Sequence, residues 1–294
     1  MSGNDIIPFR RVAIIGVGLI GGSIGLALKT RRLAQQVIGM TSREKTARLA
    51  LEMGAVDEIA ASIPEAVRGA DLIILGTPVE TILKHLDAVS TAIDRSDHLE
   101  FPIITDVGSA KQKIVAKGDA CLPGMFVGGH PMAGSEESGV VAANVALFLG
   151  ATWVFTQTAQ TNPESLDRMI GFAQALGART LVCDPIEHDR AVAALSHLPH
   201  LSAFALTQVA DEMVAAGHEI IQAGSFRDTT RIALSSPALW SEILIQNAEE
   251  VLCSLDRMGR FIDELREAIS LRDEARLQQA ISKARQAKER FSRD

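Results

Sequence analysis

Short apolar runs alternate with amphipathic segments through the first two thirds of the chain. The runs are typical of strands that are buried on both faces, and the segments between them have helical periodicity. Because strands that alternate with helices require crossover connections, this pattern predicts a parallel sheet covered by helices on both faces. The predicted strands are residues 11–15, 37–40, 70–76, 102–106, 126–128, 152–155 and 180–183, and the first predicted helix is residues 19–29.

The pattern changes after residue 185. From there to the end of the chain no run of residues predicts a strand, and residues 191–216 are apolar with helical character. From Leu244 to Ile269 apolar residues recur at steps of four and three, which places them on one face of a long helix. Arg272 interrupts this face and marks a predicted turn before a last, short amphipathic helix.

The helical part has more apolar positions than one helical layer on a sheet would bury. A surface that pairs two copies of the chain would explain this excess, and a purely intramolecular helical core is the alternative. We therefore predict an α/β chain with a sheet domain at residues 9–184 and an all-helical domain at residues 185–294. The helical domain is expected to form a homodimer as well as to bind substrate.

Composition and charge narrow the class of protein. Of the 294 residues, 47% are hydrophobic, which excludes a largely disordered chain, and the formal net charge of −7 argues against nucleic-acid binding. The widely spaced Cys121, Cys183 and Cys253 are typical of free thiols in a reducing cytoplasm and predict no metal site. The uncharged stretch Val12–Leu28 approaches membrane-span length, but it contains five glycines and no cleavage site follows it. We therefore expect a cytoplasmic protein without a membrane anchor.

The glycines of that stretch match the G-x-G-x-x-G pattern of dinucleotide-binding folds. Gly16, Gly18 and Gly21 follow the first predicted strand and open the first helix, which is the context that this pattern requires. The first glycine permits a tight turn, the second lets the backbone approach a pyrophosphate, and the third lets the helix pack close to the strand. The alternative is that these glycines only help a helix to pack. We predict a Rossmann-type domain that binds NAD or NADP at Gly16, Gly18, Leu19, Ile20 and Gly21.

The end of the second predicted strand bears on the choice between NAD and NADP. NAD sites usually place an acidic residue there to bind the ribose 2′-hydroxyl, whereas this chain has Thr41, Ser42 and Arg43. Hydroxyl groups and a guanidinium suit a 2′-phosphate, so we favour NADP. The alternative is that Arg43 stacks beside the adenine of bound NAD. The other predicted cofactor-binding residues are Thr77, Pro78 and Asp106.

Candidate catalytic residues lie where two later strands end, since ligands of parallel sheets bind at the carboxyl ends of strands. Residues 105–111 contain Ser109, and residues 128–136 place His130 between glycines and a proline on a predicted loop. A histidine in such a segment is better suited to a site than to a core. The chain has no tyrosine, which excludes the acid–base chemistry of short-chain dehydrogenases.

Two clusters in the helical domain are candidates for substrate binding. The first cluster is Ser196-His197-Leu198-Pro199-His200, in which the proline disturbs a helix and can direct a histidine ring towards a cleft. The alternative is that both histidines lie on the surface beside a kink. In residues 224–231, Arg227 and Arg231 share one face if the segment is helical. These two arginines suit a substrate carboxylate or, alternatively, a solvated helix face.

Five segments taken together resemble the prephenate/arogenate dehydrogenase family of tyrosine biosynthesis. They are GVGLIGGS at 16–23, DVGSAK at 106–111, GHPMAGSE at 129–136, SHLPH at 196–200 and GSFRDTTR at 224–231. The resemblance implies a Rossmann domain followed by a helical dimerisation domain. It also implies a reaction in which the hydroxyl-bearing carbon of a cyclohexadiene ring gives hydride to NAD(P) and the ring carboxylate leaves as CO2.

The match to these segments implies roles for single residues. His130 would take the proton of the ring hydroxyl, and Ser109 would orient His130 and the nicotinamide. Arg231 would bind a substrate carboxylate, with His200 and Ser196 helping to position the substrate. The further candidates for substrate binding are Glu136, Arg227, Asp228 and Trp240.

The side chain of the substrate stays open, because prephenate and arogenate share the same ring chemistry. The chain is too short for an appended ligand-sensing domain and has no chorismate mutase segment before Arg10, so we expect a single-function enzyme in which tyrosine inhibits by competition if it inhibits at all. One alternative is a β-hydroxyacid dehydrogenase, but these typically use a lysine of the helical domain, and the first lysine there is Lys283. The other is a non-catalytic NAD(P) sensor, which would need neither His130 nor Arg231.

Overall fold

The computed structural model describes residues 8–93, 101–134, 137, 139–215 and 224–291. One eight-stranded sheet forms the N-terminal domain. Its strands are β1 (Phe9–Ile15), β2 (Ala34–Met40), β3 (Glu58–Ile59), β4 (Leu72–Leu75), β5 (Ile103–Asp106), β6 (Phe126–Met132), β7 (Thr152–Thr156) and β8 (Arg179–Cys183). Their spatial order is β3-β2-β1-β4-β5-β6-β7-β8, the order of a dinucleotide-binding sheet with two further strands at one edge.

Strands β1 to β6 pair in parallel, as the sequence pattern predicts, although the two-residue strand β3 is not among the predicted strands. Strand β7, by contrast, runs antiparallel to β6. The registered pairs between β5 and β6 end at Val127, and beyond them Gly128 to Met132 pair with β7. His130 therefore lies on a strand opposite Val154, and the prediction of a loop at His130 is wrong. The antiparallel partner supplies backbone hydrogen bonds to residues that β5 no longer reaches.

Apolar side chains alternate between the two faces of the sheet and form one core on each face. On β1, Val12 and Ile14 belong to one core, whereas Ala13 and Ile15 belong to the other. This alternation is the two-residue period of a strand, and it confirms the prediction of a sheet covered on both sides. The helices of this domain are α1 (Leu19–Thr30), α2 (Glu44–Glu52), α3 (Ile63–Val67), α4 (Val79–Ala92), α5 (Gln112–Cys121) and α6 (Pro163–Ala175).

The described residues after β8 form helices and turns without a strand. The helices are α7 (Pro185–Val192), α8 (Leu198–Ala215), α9 (Gly224–Thr230), α10 (Pro237–Gln246), α11 (Ala248–Ser270) and α12 (Glu274–Phe291). The predicted long helix from Leu244 is interrupted at Asn247, where α10 ends and α11 begins. Arg272 adopts a left-handed conformation (φ 54°) and separates α11 from α12, in agreement with the predicted turn.

Between α7 and α8 the chain stays helical but widens into a π-helical turn at Ala193–His197. Proline has no N–H group, so Pro199 cannot donate the usual helical hydrogen bond to the carbonyl of residue 195. Wide turns of this kind relieve such a mismatch without ending the helix, and they are frequent at functional sites. The turn carries Ser196 and His197, and His200 follows one turn later.

The helical domain leaves many large apolar side chains uncovered within one chain. Leu206, Val209, Leu234, Ile245 and Ile269 are between 46% and 81% exposed. Apolar surface of this extent is typical of a protein–protein interface. Within the described residues, no helix is both long enough and apolar enough to cross a membrane.

Candidate active site

The predicted cofactor loop joins β1 to α1 at the carboxyl edge of the sheet. Gly16 has φ 105°, and a Cβ there would lie 2.6 Å from the carbonyl carbon of Gly76, so the turn requires glycine. At Gly18, by contrast, no heavy atom lies within 4 Å of the place that a Cβ would take. Helix α1 begins at Leu19, and no side chain of a described residue caps its first N–H groups, which are the groups that bind phosphates at a helix start. The loop therefore fits a pyrophosphate, and Gly21 packs in the first turn of α1 behind it.

The residues after β2 and β4 border the same edge. Ser42 and Arg43 are exposed and Thr41 is half-buried, and the Arg43 guanidinium makes no hydrogen bond or ion pair with a described residue. After β4, the Thr77 hydroxyl lies 3.2 Å from His85 Nδ1 and Pro78 is exposed just before α4. These positions are accessible to a ligand at the carboxyl ends of the strands.

Asp106 and Lys111 form an ion pair in which both side chains are fully buried. The remaining hydrogen bonds of the Asp106 carboxylate come from the amides of Gly108 (2.8 Å) and Gly129 (3.1 Å), and Lys111 Nζ also donates to the Gly129 carbonyl (2.7 Å). Burial lowers the pKa of Lys111, while the adjacent Asp106 carboxylate opposes this effect. The Asp106 carboxylate is therefore inaccessible, and cofactor binding at Asp106 stays a prediction that this burial does not support. The ion pair instead fixes the end of β5 to β6, one residue before His130.

His130 belongs to a buried chain of three side chains. Its Nδ1 lies 2.8 Å from Nε2 of His188, and Nδ1 of His188 lies 2.7 Å from Oδ1 of Asp189. The Asp189 carboxylate also accepts hydrogen bonds from the amides of Lys111 (2.7 Å) and Gln112 (2.9 Å) at the start of α5. His130 Nε2 remains as the nitrogen that can meet a substrate. Sequence analysis missed His188 and Asp189, because His188 is 58 positions from His130 and carries no local signal.

Burial keeps these histidines neutral near pH 7. Burial, and then the nearby charges of His188, Lys111 and His197, lower the pKa of His130 well below 6.5. Burial also lowers the pKa of His188, although the hydrogen bond that His188 donates to Asp189 acts to raise it. Burial acts to raise the pKa of Asp189, but its hydrogen bonds outweigh this effect and lower the pKa. His130 can therefore accept a proton, and Asp189 keeps its negative charge.

The π-helical turn and α10 bring further predicted residues together. The ring of His200 stacks on Trp240, with ring centroids 3.5 Å apart and an interplanar angle of 23°. His200 Nδ1 donates to the Ser196 carbonyl at 2.9 Å, which leaves Nε2 of His200 as an acceptor. The structure thus brings Ser196, His200 and Trp240 together, and substrate binding by these residues stays a prediction.

His197 and Asn247 connect this group to the His130 chain. The His197 ring meets Trp240 edge to face at 6.0 Å, and its Nδ1 lies 3.4 Å from Nδ2 of Asn247. Asn247 Nδ2 in turn donates to the Asp189 carbonyl at 2.8 Å. Burial lowers the pKa of His197 to about 4. Hydrogen bonds therefore connect His130 to His197 through His188, Asp189 and Asn247, and ring contacts with Trp240 continue from His197 to His200.

The other predicted residues are not shown to join this network. Ser109 is half-buried, and among the described residues no hydrogen bond connects it to His130. Arg227 and Asp228 are exposed on α9, and Arg231 is exposed at the start of the 3-10 turn Arg231–Leu234, which packs on α8. Neither guanidinium forms an ion pair or hydrogen bond with a described residue. Glu136 lies outside the described residues.

A cavity of about 610 Å³ lies at the opposite edge of the sheet. Its lining includes Ile103 at the start of β5, Met125 just before β6, and Arg168 on α6. Because parallel sheets bind their ligands at the carboxyl ends of the strands, this cavity is not the active site.

Comparison with known proteins places the whole arrangement in one family. Residues 24–182 match the family model described as "Prephenate dehydrogenase, nucleotide-binding domain", and residues 184–283 match the model described as "Prephenate dehydrogenase, dimerization domain". The chain belongs to the prephenate dehydrogenase family.

Individual members of the prephenate dehydrogenase family resemble the chain over most of its length. The prephenate dehydrogenase of Bacillus subtilis is 37% identical over 266 residues, which cover 89% of this chain and 71% of that protein. The cyclohexadienyl dehydrogenase of Zymomonas mobilis is 32% identical over 272 residues, which cover 90% of each chain.

Two solved structures have the same overall fold. Prephenate dehydrogenase from Aquifex aeolicus, in complex with hydroxyphenyl propionate and NAD+, superposes with a TM-score of 0.88 at 28% identity, covering 98% of this chain and 99% of that one. Synechocystis arogenate dehydrogenase has a TM-score of 0.80 at 30% identity, with coverage of 96% and 99%. These findings confirm the family, the fold class and a dehydrogenase that uses a nicotinamide cofactor.

The buried ion pair next to His130 gives a testable stability difference. Lys111→Met should lower the free energy of unfolding by about 3–5 kcal/mol, because it leaves the Asp106 carboxylate buried without its cation. Urea unfolding at pH 7 measures this change. The double variant Asp106→Asn/Lys111→Met should recover part of the loss, since it buries no uncompensated charge.

Lys113→Met is the matched control, because Lys113 is exposed on the first turn of α5, two residues after Lys111. Its unfolding free energy should stay within about 0.5 kcal/mol of the parent protein. A Lys111→Met variant as stable as this control would show that the ion pair does not hold the two strand ends together.

Proposed function

We propose that this chain catalyses the oxidative decarboxylation of prephenate, arogenate or both in tyrosine biosynthesis, with hydride transfer to a nicotinamide cofactor. The observation that carries this proposal is His130, a buried neutral imidazole whose Nε2 is left for a substrate at the carboxyl edge of the sheet. Open space beside Gly18 supports a bound dinucleotide at the same edge. Membership in the prephenate dehydrogenase family supports the reaction.

The proposed chemistry needs one base and precise positioning. A nicotinamide cofactor held at the loop of residues 16–21 would supply the acceptor for the hydride that leaves the hydroxyl-bearing ring carbon. His130 Nε2 accepts the hydroxyl proton as this carbon becomes a carbonyl. Loss of CO2 then passes its bonding electrons through the ring to the carbonyl oxygen, which becomes a phenol by taking the proton back. His130 is therefore neutral again at the end of each turnover.

The helical domain is proposed to bind the substrate. The stacked pair His200 and Trp240 forms a rigid wall, and His200 Nε2 and Ser196 offer polar groups beside it. Arg231 is proposed to bind a substrate carboxylate, since its exposed guanidinium has no partner among the described residues. Arg227 and Glu136 are proposed as further contacts, and Ser109 is proposed to orient the nicotinamide beside His130.

We propose separate roles for the sheet domain and the helical domain. Residues 9–184 would bind the cofactor, and residues 185–294 would complete the substrate site and form a homodimer. The exposed apolar side chains of α8, α10 and α11 support pairing, because a single chain leaves them in water. The match of residues 184–283 to a dimerization domain supports it independently.

NADP is proposed as the preferred cofactor. Ser42 and Arg43 are exposed where β2 ends, at the position that recognises the ribose in dinucleotide-binding folds. The Arg43 guanidinium is not engaged by a described residue and can donate two parallel hydrogen bonds to a phosphate. The first acidic residue after β2 is Glu44, which is exposed at the start of helix α2 and therefore lies beyond the position where NAD sites usually place their acid.

The decisive assay follows the absorbance of the reduced nicotinamide with prephenate and arogenate, each offered with NAD and with NADP. We expect turnover in at least one combination, with the highest kcat/KM for a combination that contains NADP. Binding of cofactor without turnover of either substrate would refute the proposed reaction and leave a nucleotide-binding protein.

Arg43→Ala tests the cofactor proposal. The substitution should raise the KM for NADP roughly tenfold to a hundredfold, because a charge-assisted pair with the 2′-phosphate is lost, and should leave the KM for NAD within about twofold. Arg48→Ala is the matched control, since Arg48 lies on helix α2, which Arg43 directly precedes, and pairs with Glu52. Equal effects of Arg43→Ala on both cofactors would mean that Arg43 contacts the adenine and not a 2′-phosphate.

His130→Asn should lower kcat roughly a hundredfold or more while the KM for cofactor is unchanged, because the base is lost and the cofactor loop is intact. The acid limb of the pH profile provides a second measurement. Only neutral His130 accepts a proton, so kcat/KM should be constant from pH 8 down to pH 6.5 and fall only well below the ordinary histidine pKa of 6.5. A profile that falls by half at or above pH 6.5 would contradict a buried, neutral base.

A further inference from the structure

The hydrogen-bonded side chains behind His130, His188 and then Asp189, bear on which of two tautomers its imidazole ring adopts. A neutral imidazole carries its proton on either Nδ1 or Nε2, and the partner of one nitrogen decides which. His130 can act as a base through Nε2 only when its proton sits on Nδ1. The structure shows what lies on the Nδ1 side, namely His188 and then Asp189.

The direction of each hydrogen bond follows from the far end of this chain. The Asp189 carboxylate accepts from the amides of Lys111 and Gln112, so it is ionised and has no proton to give. Nδ1 of His188 must therefore carry a proton and donate it to Asp189. Because burial keeps His188 neutral, its Nε2 has no proton and accepts one from Nδ1 of His130.

We propose that His188 and Asp189 are positioning residues that hold His130 with its proton on Nδ1, so that the Nε2 lone pair faces the substrate hydroxyl. This inference rests on the proposed function for the identity of the reaction. It assigns to two residues outside the five sequence segments a part in the chemistry. The same chain stabilises His130 once Nε2 has accepted a proton, because the Nδ1–H bond to His188 then strengthens and Asp189 supplies the opposite charge.

The arrangement has the logic of a hydrolase triad with a second histidine inserted. In those triads a buried carboxylate fixes the tautomer of the histidine base through its Nδ1–H. Here Asp189 acts at one remove, through His188. This distance has a structural reason: Asp189 also holds the start of α5, so its carboxylate stands at the domain junction and His188 spans the gap to His130.

Nitrogen-15 NMR of histidine-labelled protein at pH 7.5 tests the tautomer directly and without turnover. His130, assigned by its absence in His130→Asn, should have a protonated Nδ1 and an unprotonated Nε2. His188→Leu removes the acceptor, so the Nε2-protonated form should appear. His188→Gln should retain the native form at least in part, because its amide oxygen can accept from Nδ1. A native His130 with the proton on Nε2 would overturn the proposal.

Kinetics separate positioning from support of the fold. His188→Leu and Asp189→Asn should each lower kcat roughly tenfold or more and leave both KM values within about twofold, because binding does not depend on the tautomer. Asp189→Asn should cost no further activity in the His188→Leu background, since its effect passes through His188. If the two losses multiply, Asp189 acts only by holding α5, and the proposal fails for that residue. A His188→Leu variant with kcat within twofold of the parent would refute it entirely.

The two measurements also separate this inference from the proposed reaction. Failure of the reaction would appear as absent turnover with both substrates, while the NMR of His130 would still show its native tautomer and the response to His188→Leu. Failure of the inference would appear as normal turnover in the His188→Leu variant or as the opposite tautomer in the native protein.

Discussion

The carboxylate of Asp189 is the point on which both domains and the active site depend. It lies on the first helix after the sheet, accepts two amides at the start of α5, and orients His188 against His130. The backbone carbonyl of Asp189 accepts a further hydrogen bond, from the side-chain amide of Asn247 at the break between α10 and α11. A buried anion needs several hydrogen bonds to be stable, and here each donor comes from a segment whose position matters to the site. The requirement to satisfy this one charge therefore holds the start of α5 in the sheet domain against α7 and orients His188 behind His130.

Electrostatics and burial act together around this carboxylate. The Asp106–Lys111 pair fixes the strand ends beside His130, and the Lys111 cation helps to keep the ring neutral. His197 is neutral because burial lowers its pKa to about 4. The site thus has fixed charges behind the base and neutral, stacked rings beside it. This arrangement suits a reaction in which hydride and CO2 leave and a proton is moved only locally.

The sequence predicted the order of strands and helices well, because each element carries its own periodicity and each glycine of the cofactor loop has a local reason. It also predicted His130, His200, Ser196 and Trp240 as candidates, and the structure brings the last three together in one stacked group. It did not predict that β7 turns back along β6, since the pattern of a buried strand is the same in either direction. That reversal places His130 on a strand. The sequence also named Asp106 as a cofactor-binding residue, but it did not reveal that the Asp106 carboxylate is buried in an ion pair with Lys111, a contact that depends on folding.

The amino-acid sequence by itself determined the two-part architecture, the dinucleotide loop and the family, since these depend on local patterns and on short segments of specific residues. Tertiary structure alone decided which groups touch: His188 with His130, Asp189 with α5, and Asn247 with the junction. These contacts join residues up to 78 positions apart, and their strength comes from exclusion of water, which no linear pattern records. The tautomer that we propose for His130 is therefore a property of the folded molecule, because it depends on buried hydrogen bonds between residues that are distant in sequence.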